Sequence, residues 1–196
     1  MMAPDRMNFT VVRALIIDSD SHATRILAQI LRGFGLSLQT VVETGAEAKR
    51  QIGETSFDLV ICEAVLPDMP AVDLLHWIRR QGQASVKFTP VIILTGYAQL
   101  GNVTAARDAG ANIVVRKPVS PVVLLDHIVW AARMPRPFVE TSNYIGPDRR
   151  FKYAGPPEGV GRRDTDLPPE VGIAVEPNMS QDEIDSLVKS NKVALQ

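Results

Sequence analysis

The sequence predicts an α/β fold, a doubly wound parallel sheet with helices on both faces, followed by an extension. Three observations carry this expectation. Between residues 8 and 134, five short apolar runs alternate with five helical patterns. The runs are rich in Val, Ile and Leu without strict alternation, as strands covered on both faces must be. Strand–helix alternation repeated in this way builds a parallel sheet through right-handed crossovers.

The first run is "RALIID" (13–18). In the helical segment after it, "SHATRILAQILRGFG", Ile26, Leu27, Ile30 and Leu31 share one face, and Gly33 or Gly35 ends the helix. "LSLQTVV" (36–42) is the second strand, followed by the weaker helix "GAEAKRQIGE". "FDLVICE" (57–63) is the third, followed by "AVDLLHWIRRQG", whose apolar positions are Val72, Leu75, Trp77 and Ile78. "PVIILT" (90–95) leads into "AQLGNVTAARDAG", and "ANIVVRK" (111–117) into "SPVVLLDHIVWAARM", with Pro121 in a first turn.

The 196-residue chain has room for one good-sized domain plus an extension. A net charge of −1 argues against nucleic-acid binding through an overall field. Cys62 is the single cysteine, which excludes an intrachain disulfide and suits a buried thiol inside the third strand. The N-terminal stretch lacks a signal-peptide core and no run is long enough to span a bilayer, so a cytoplasmic protein is expected. His22, His76 and His127 have neither ligand spacing nor a nucleophile partner, which argues against a catalytic role.

Residues 135–178 are dense in Pro, Gly and charge and read as an extended or disordered segment without a DNA-reading pattern. Two arginine pairs, Arg149–Arg150 and Arg162–Arg163, stand near Tyr144, Phe151 and Tyr153. Guanidinium forks beside aromatic rings would suit a cyclic dinucleotide. The plainer reading is a solvated linker in which Asp148, Glu158 and Asp164 offset the arginines. Residues 179–190 then form a short amphipathic helix. Ser180 with Glu183 makes a capping box, Met179 with Ile184 a hydrophobic staple, and Ile184, Leu187 and Val188 share a face. So short a helix is marginal alone and gains stability by docking in a groove.

The carboxyl ends of the strands gather chemistry. The first gives Asp18, Ser19 and Asp20, the third Glu63, the fourth Thr95 and the fifth Lys117, followed by Pro118. Ligands of open α/β sheets collect at this edge. Carboxylates suit a hard cation such as Mg²⁺, with Asp18, Asp20 and Glu63 as a weak set, since Asp20 more readily caps the helix that follows. A lysine and a threonine hydroxyl suit a phosphoryl group.

Through "LIIDSD", "FDLVICEAVLPDMP", "VIILTGYA" and "GANIVVRKP", the chain resembles the receiver domain of bacterial two-component response regulators, chemotaxis-type regulators among them. The resemblance covers roughly 8–134. It implies a flavodoxin-like and CheY-like five-stranded sheet in the order 2-1-3-4-5, an aspartate that accepts a phosphoryl group from a histidine kinase with Mg²⁺ bound, and a cis bond at Lys117–Pro118. It also implies a signal carried by Thr95 and by an aromatic on the fifth strand.

The departures decide the functional reading. Ser19 replaces the second acid of the family's pair, Glu63 stands at the acceptor position, and Val114 stands where the aromatic is usual. Glutamate is one methylene longer than aspartate, which pushes its carboxylate more than ~1 Å outward in a site that tolerates about 0.5 Å. Its charge would instead reach Lys117. These departures point to a stand-alone, non-enzymatic signalling protein working by phosphorylation-independent protein–protein interaction. No cofactor is expected, Mg²⁺ being the one ion the residues would take. The alternatives are an Mg²⁺-dependent phosphoacceptor and an adaptor binding a cyclic dinucleotide through the tail arginines. The segment "MSQDEIDSLVKS" resembles the N-terminal motif of the flagellar motor switch protein that docks on chemotaxis receivers. Motor proteins, other signalling proteins and receiver domains are therefore the expected partners, with no DNA and no membrane insertion.

Overall fold

The computed structural model describes residues 8–82, 84–133, 137–148 and 179–188. Its elements run β1 (Arg13–Ile17), α1 (Ser21–Gly33), β2 (Leu38–Val42), α2 (Gly45–Glu54), β3 (Leu59–Glu63), α3 (Ala71–Arg80), α4 (Ala84–Lys87), β4 (Val91–Thr95), α5 (Leu100–Asp108), β5 (Ile113–Arg116), α6 (Pro121–Arg133), β6 (Phe138–Glu140), β7 (Ile145–Pro147) and α7 (Gln181–Val188). Strands β1–β5 form one parallel sheet in the order β2-β1-β3-β4-β5. This is the order the family resemblance implies.

Alternate strand residues feed two cores. Ala14, Ile16, Ile61, Ile92 and Ile113 pack with Leu27 and Leu31 of α1 and Leu124 and Ile128 of α6. Leu15, Ile17, Cys62, Ile93 and Val114 pack with α2, α3 and α5 on the other face, and Ile184 of α7 joins that cluster. Cys62 is buried as a free thiol, and burial pushes its pKa up.

Helix faces differ from the expected stripes in an instructive way. In α1 the buried residues are Thr24, Leu27, Ala28 and Leu31, while Ile26 is 45% exposed. Small Thr24 and Ala28 complete a regular i, i+3, i+4, i+7 stripe, which counting large apolar residues rotates by a position. In α3 the buried set is Ala71, Leu74, Leu75, Ile78 and Arg79, with Val72 and Trp77 only partly covered. Arg79 lies one turn after Leu75, so the helix carries its guanidinium inward.

Residues 135–178, read from composition as extended or disordered, contain in part an antiparallel hairpin, β6–β7. Strands of three residues are too short to show a period, and this pair is held by tertiary contacts. Phe138 meets Phe88 edge-on, with ring centroids 5.2 Å apart, and Lys87 pairs with Glu140. Gly110 sits at φ +100°, and a Cβ there would stand 2.7 Å from the Ile145 carbonyl oxygen. The hairpin thus seats on the turn before β5 only because that position has no side chain.

Candidate functional site

The parallel sheet brings the ends of β1, β3, β4 and β5 to one edge, and there the structure joins Asp18, Glu63 and Lys117. Lys117 Nζ donates to Asp18 Oδ2 at 2.8 Å and to Glu63 Oε2 in a very short contact. The remaining carboxylate oxygens are also engaged: Asp18 Oδ1 accepts from Asp20 N at 2.9 Å, and Glu63 Oε1 accepts from Ala64 N at 2.9 Å. The longer glutamate side chain folds back over its own strand end. Asp18 is buried, and the Lys117 side chain is about one-quarter exposed. Burial works to lower the pKa of the Lys117 ammonium, but hydrogen bonds and charge from Asp18 and Glu63 outweigh it and raise the value above 10.5. The Lys117–Pro118 peptide is cis.

The other expected site residues stand outside this triad of contacts. Asp20 caps α1: its Oδ1 accepts from His22 N at 2.9 Å and Ala23 N at 3.1 Å, which hold its carboxyl below the usual range. The set of Asp18, Asp20 and Glu63 expected for Mg²⁺ is therefore not assembled. Ser19 is exposed. Thr95 is buried, and its Oγ1 accepts from Tyr97 N at 3.0 Å, bracing the turn after β4. Its carbonyl accepts from Lys117 N at 2.7 Å, which fixes where the lysine leaves the sheet.

As arranged, these residues do not fit a hard divalent cation. Such an ion takes carboxylate oxygens and waters, yet all four oxygens of Asp18 and Glu63 already accept from protein donors. To enter, it would have to displace an ammonium, and Ser19 offers no second acid. Among the described residues, no group of three His, Cys, Asp or Glu is placed to hold a metal.

Val114 is buried in β5 and helps line a cavity of about 150 Å³ with Thr95, Tyr97 and Ala106. α7 packs beside it. Ile184 is fully buried, and Ser180 N and Oγ both donate to Glu183 Oε2 at 2.8 Å, forming the capping box. The side chains of Leu187 and Val188 lie outside the described residues, as do Arg149, Arg150, Arg162 and Arg163. Two participants escaped the sequence reading. Ala64 N holds Glu63, a role any residue would fill, and Gln181 of α7 reaches β5, a role that follows only from the strand order.

A sheet of order 2-1-3-4-5 with an aspartate after the first strand, an acid ending the third, a hydroxyl ending the fourth and a Lys–Pro pair after the fifth defines a two-component receiver. The family model of the response regulator receiver domain matches residues 14–129, and the chain belongs to that family. Chemotaxis protein CheY of Pseudomonas aeruginosa is 29% identical over 117 residues, covering 60% of this chain and 93% of that protein. Chemotaxis protein CheY-3 of Vibrio cholerae is 28% identical over 117 residues, covering 60% and 88%. A CheY-like receiver domain protein from Methanospirillum hungatei superposes with a TM-score of 0.55 at 31% identity, covering 60% of this chain and 90% of that one. Two-component signalling is the chain's function at this level. Among the described residues, no helix is long and apolar enough to cross a membrane.

Proposed function

We propose that this receiver signals by protein–protein interaction without a phosphorylation cycle, as a non-enzymatic cytoplasmic regulator. One observation carries the reading: the Lys117 ammonium bridges Asp18 and Glu63 where a phosphoryl group and its metal would sit. A resident cation beside two carboxylates neutralises one of their charges, and a hydrogen bond to each of their oxygens makes both acids weaker nucleophiles toward phosphorus. Ser19 and the added methylene of Glu63 act in the same direction, one on the metal and one on the nucleophile. With the acceptor locked, the output surface is set by constitutive structure, and the face formed by α5, β5 and α6 is its contact surface. Other signalling proteins and motor components are the partners this reading expects.

The test is incubation of the full chain with acetyl phosphate and Mg²⁺, followed by intact-mass measurement. No phosphoryl adduct is expected. An Mg²⁺-dependent adduct that persists in Asp58→Asn and vanishes in Glu63→Gln would establish the phosphoacceptor alternative.

A further inference from the structure

Among the described residues β5 is an edge strand, so its outer side carries backbone groups that no described strand pairs. α7 lies along that side. Gln181 Oε1 accepts from Arg116 N at 2.8 Å, and its Nε2 donates to the Val114 carbonyl at 3.3 Å. One carboxamide thus offers an acceptor and a donor to two same-side groups of β5 that a sixth parallel strand would engage. Asp185 Oδ1, one turn on, accepts from the same Nε2 at 2.9 Å and so fixes which end of the amide faces which group.

Four further contacts close the seat. Met179 N donates to the Ala98 carbonyl at 2.8 Å, in the turn between β4 and α5. Arg116 Nη1 donates to the Met179 carbonyl at 3.3 Å. Ile184 is buried in the cluster that contains Val103 and Ala106 of α5 and Val114 of β5, while Asp185 stands 3.9 Å from His127 of α6. Burial of the Ile184 side chain supplies the driving force for docking, and the edge contacts supply direction.

We propose that α7 is the chain's own ligand for the α5–β5–α6 face, holding that face shut until a competing helix displaces it. The partner it fits is an amphipathic helix of the same chemistry. Such a helix carries a Ser-x-x-Glu cap, a glutamine in the first turn to bridge the β5 edge, and a branched aliphatic residue three positions later. This rests on the interaction-module reading and adds its regulation. Residues 149–178 connect hairpin to helix, and a tether confines its cargo to effective concentrations on the order of mM. Attachment to the same chain therefore lets a weak helix outcompete a free partner of equal affinity.

The experiment uses a fluorescent peptide of residues 179–190, titrated by anisotropy against the full chain and its full-length Ile184→Asp and Gln181→Glu variants. Gln181→Glu replaces the donor facing the Val114 carbonyl with an acceptor. The peptide is expected to bind each variant about tenfold or more tightly than the unaltered chain. In the unaltered chain the Arg116 amide is expected to exchange slowly, and in both variants fast. Equal affinity for all three proteins, or binding to none, overturns the proposal. So does concentration-dependent dimerisation of the unaltered chain, which would place α7 on a second copy. If Ile184→Asp fails to fold, Gln181→Glu and the exchange of the unaltered chain decide. Phosphoryl labelling would sink the silent-acceptor reading and leave these titrations unmoved, so the two failures are distinguishable.

Discussion

Lys117 and Arg79 are cations withdrawn from water at opposite ends of the same sheet, and they are satisfied by opposite means. Lys117, at the carboxyl end, is held by two carboxylates and keeps about one-quarter of its side chain exposed. Arg79, at the amino end, is buried, and its five N–H groups donate to carbonyl oxygens of Lys87, Thr89 and Gly110 and to Asn112 Oδ1. Its guanidinium also lies over the Phe138 ring of the hairpin, 5.0 Å from the centroid. Burial pulls its pKa down to about 10, still far above neutrality. The carbonyls belong to the turns before β4 and β5, so Arg79 is built into the backbone path. Among the described residues the Lys117 ammonium is held by two side chains, Asp18 and Glu63, whose charges another ion could claim. On the proposed reading, one cation is architecture and the other is a plug in a site.

The largest expected effect follows from that contrast. Arg79→Leu removes five donated hydrogen bonds from the turns before β4 and β5 and should cost about 3–5 kcal/mol in urea unfolding. It should also expose the β6–β7 amides to exchange. A loss below about 1 kcal/mol would show that the carbonyl ring is incidental.

Lys117→Met should cost less, about 2 kcal/mol, because the site is partly open to water and the full penalty of breaking a buried pair is screened. The two acids then face each other with like charge. The deficit should therefore shrink as added salt screens that repulsion, whereas the Arg79→Leu deficit should not.

The alkaline limb separates the cations further. The folded-state pKa of Lys117 is raised, so the folded chain holds its proton more tightly than the unfolded one. Its contribution is complete below the ordinary value of 10.5 and is lost as the pH climbs through the higher folded value. In Lys117→Met that part of the alkaline decline should be missing from unfolding curves.

Most of the Lys117 site was legible in the sequence, because each member ends a strand and parallel strands bring such residues to one edge. The capping role of Asp20 was legible as well, and the Glu63–Ala64 contact supplies the remaining geometry. Arg79 was not legible. Its partners are main-chain oxygens from separate turns, and a carbonyl has no signature in a sequence. The hairpin escaped for a related reason, since Gly110 and Phe88, far away in the chain, decide where it sits. The capping box at Ser180 and Glu183 was plain, but the reach of Gln181 to β5 becomes visible only once β5 is known to be an edge.

The smallest expected effect concerns that cap. Hydrogen bonds from Ser180 hold the Glu183 carboxyl below its ordinary 4.5. Its contribution to α7 docking is present above that value and fades as the pH falls through the lowered one. Arg116 amide protection should loosen modestly there, and less so in Glu183→Gln.

The most direct test of the plugged site is fluorine NMR of the full chain titrated with beryllofluoride in the presence of Mg²⁺. No slowly exchanging bound fluorine resonances are predicted for the unaltered protein, whereas Ser19→Asp with Glu63→Asp should acquire them. Bound resonances in the unaltered chain that disappear in Glu63→Gln would contradict the account, because the lysine would then be yielding its place.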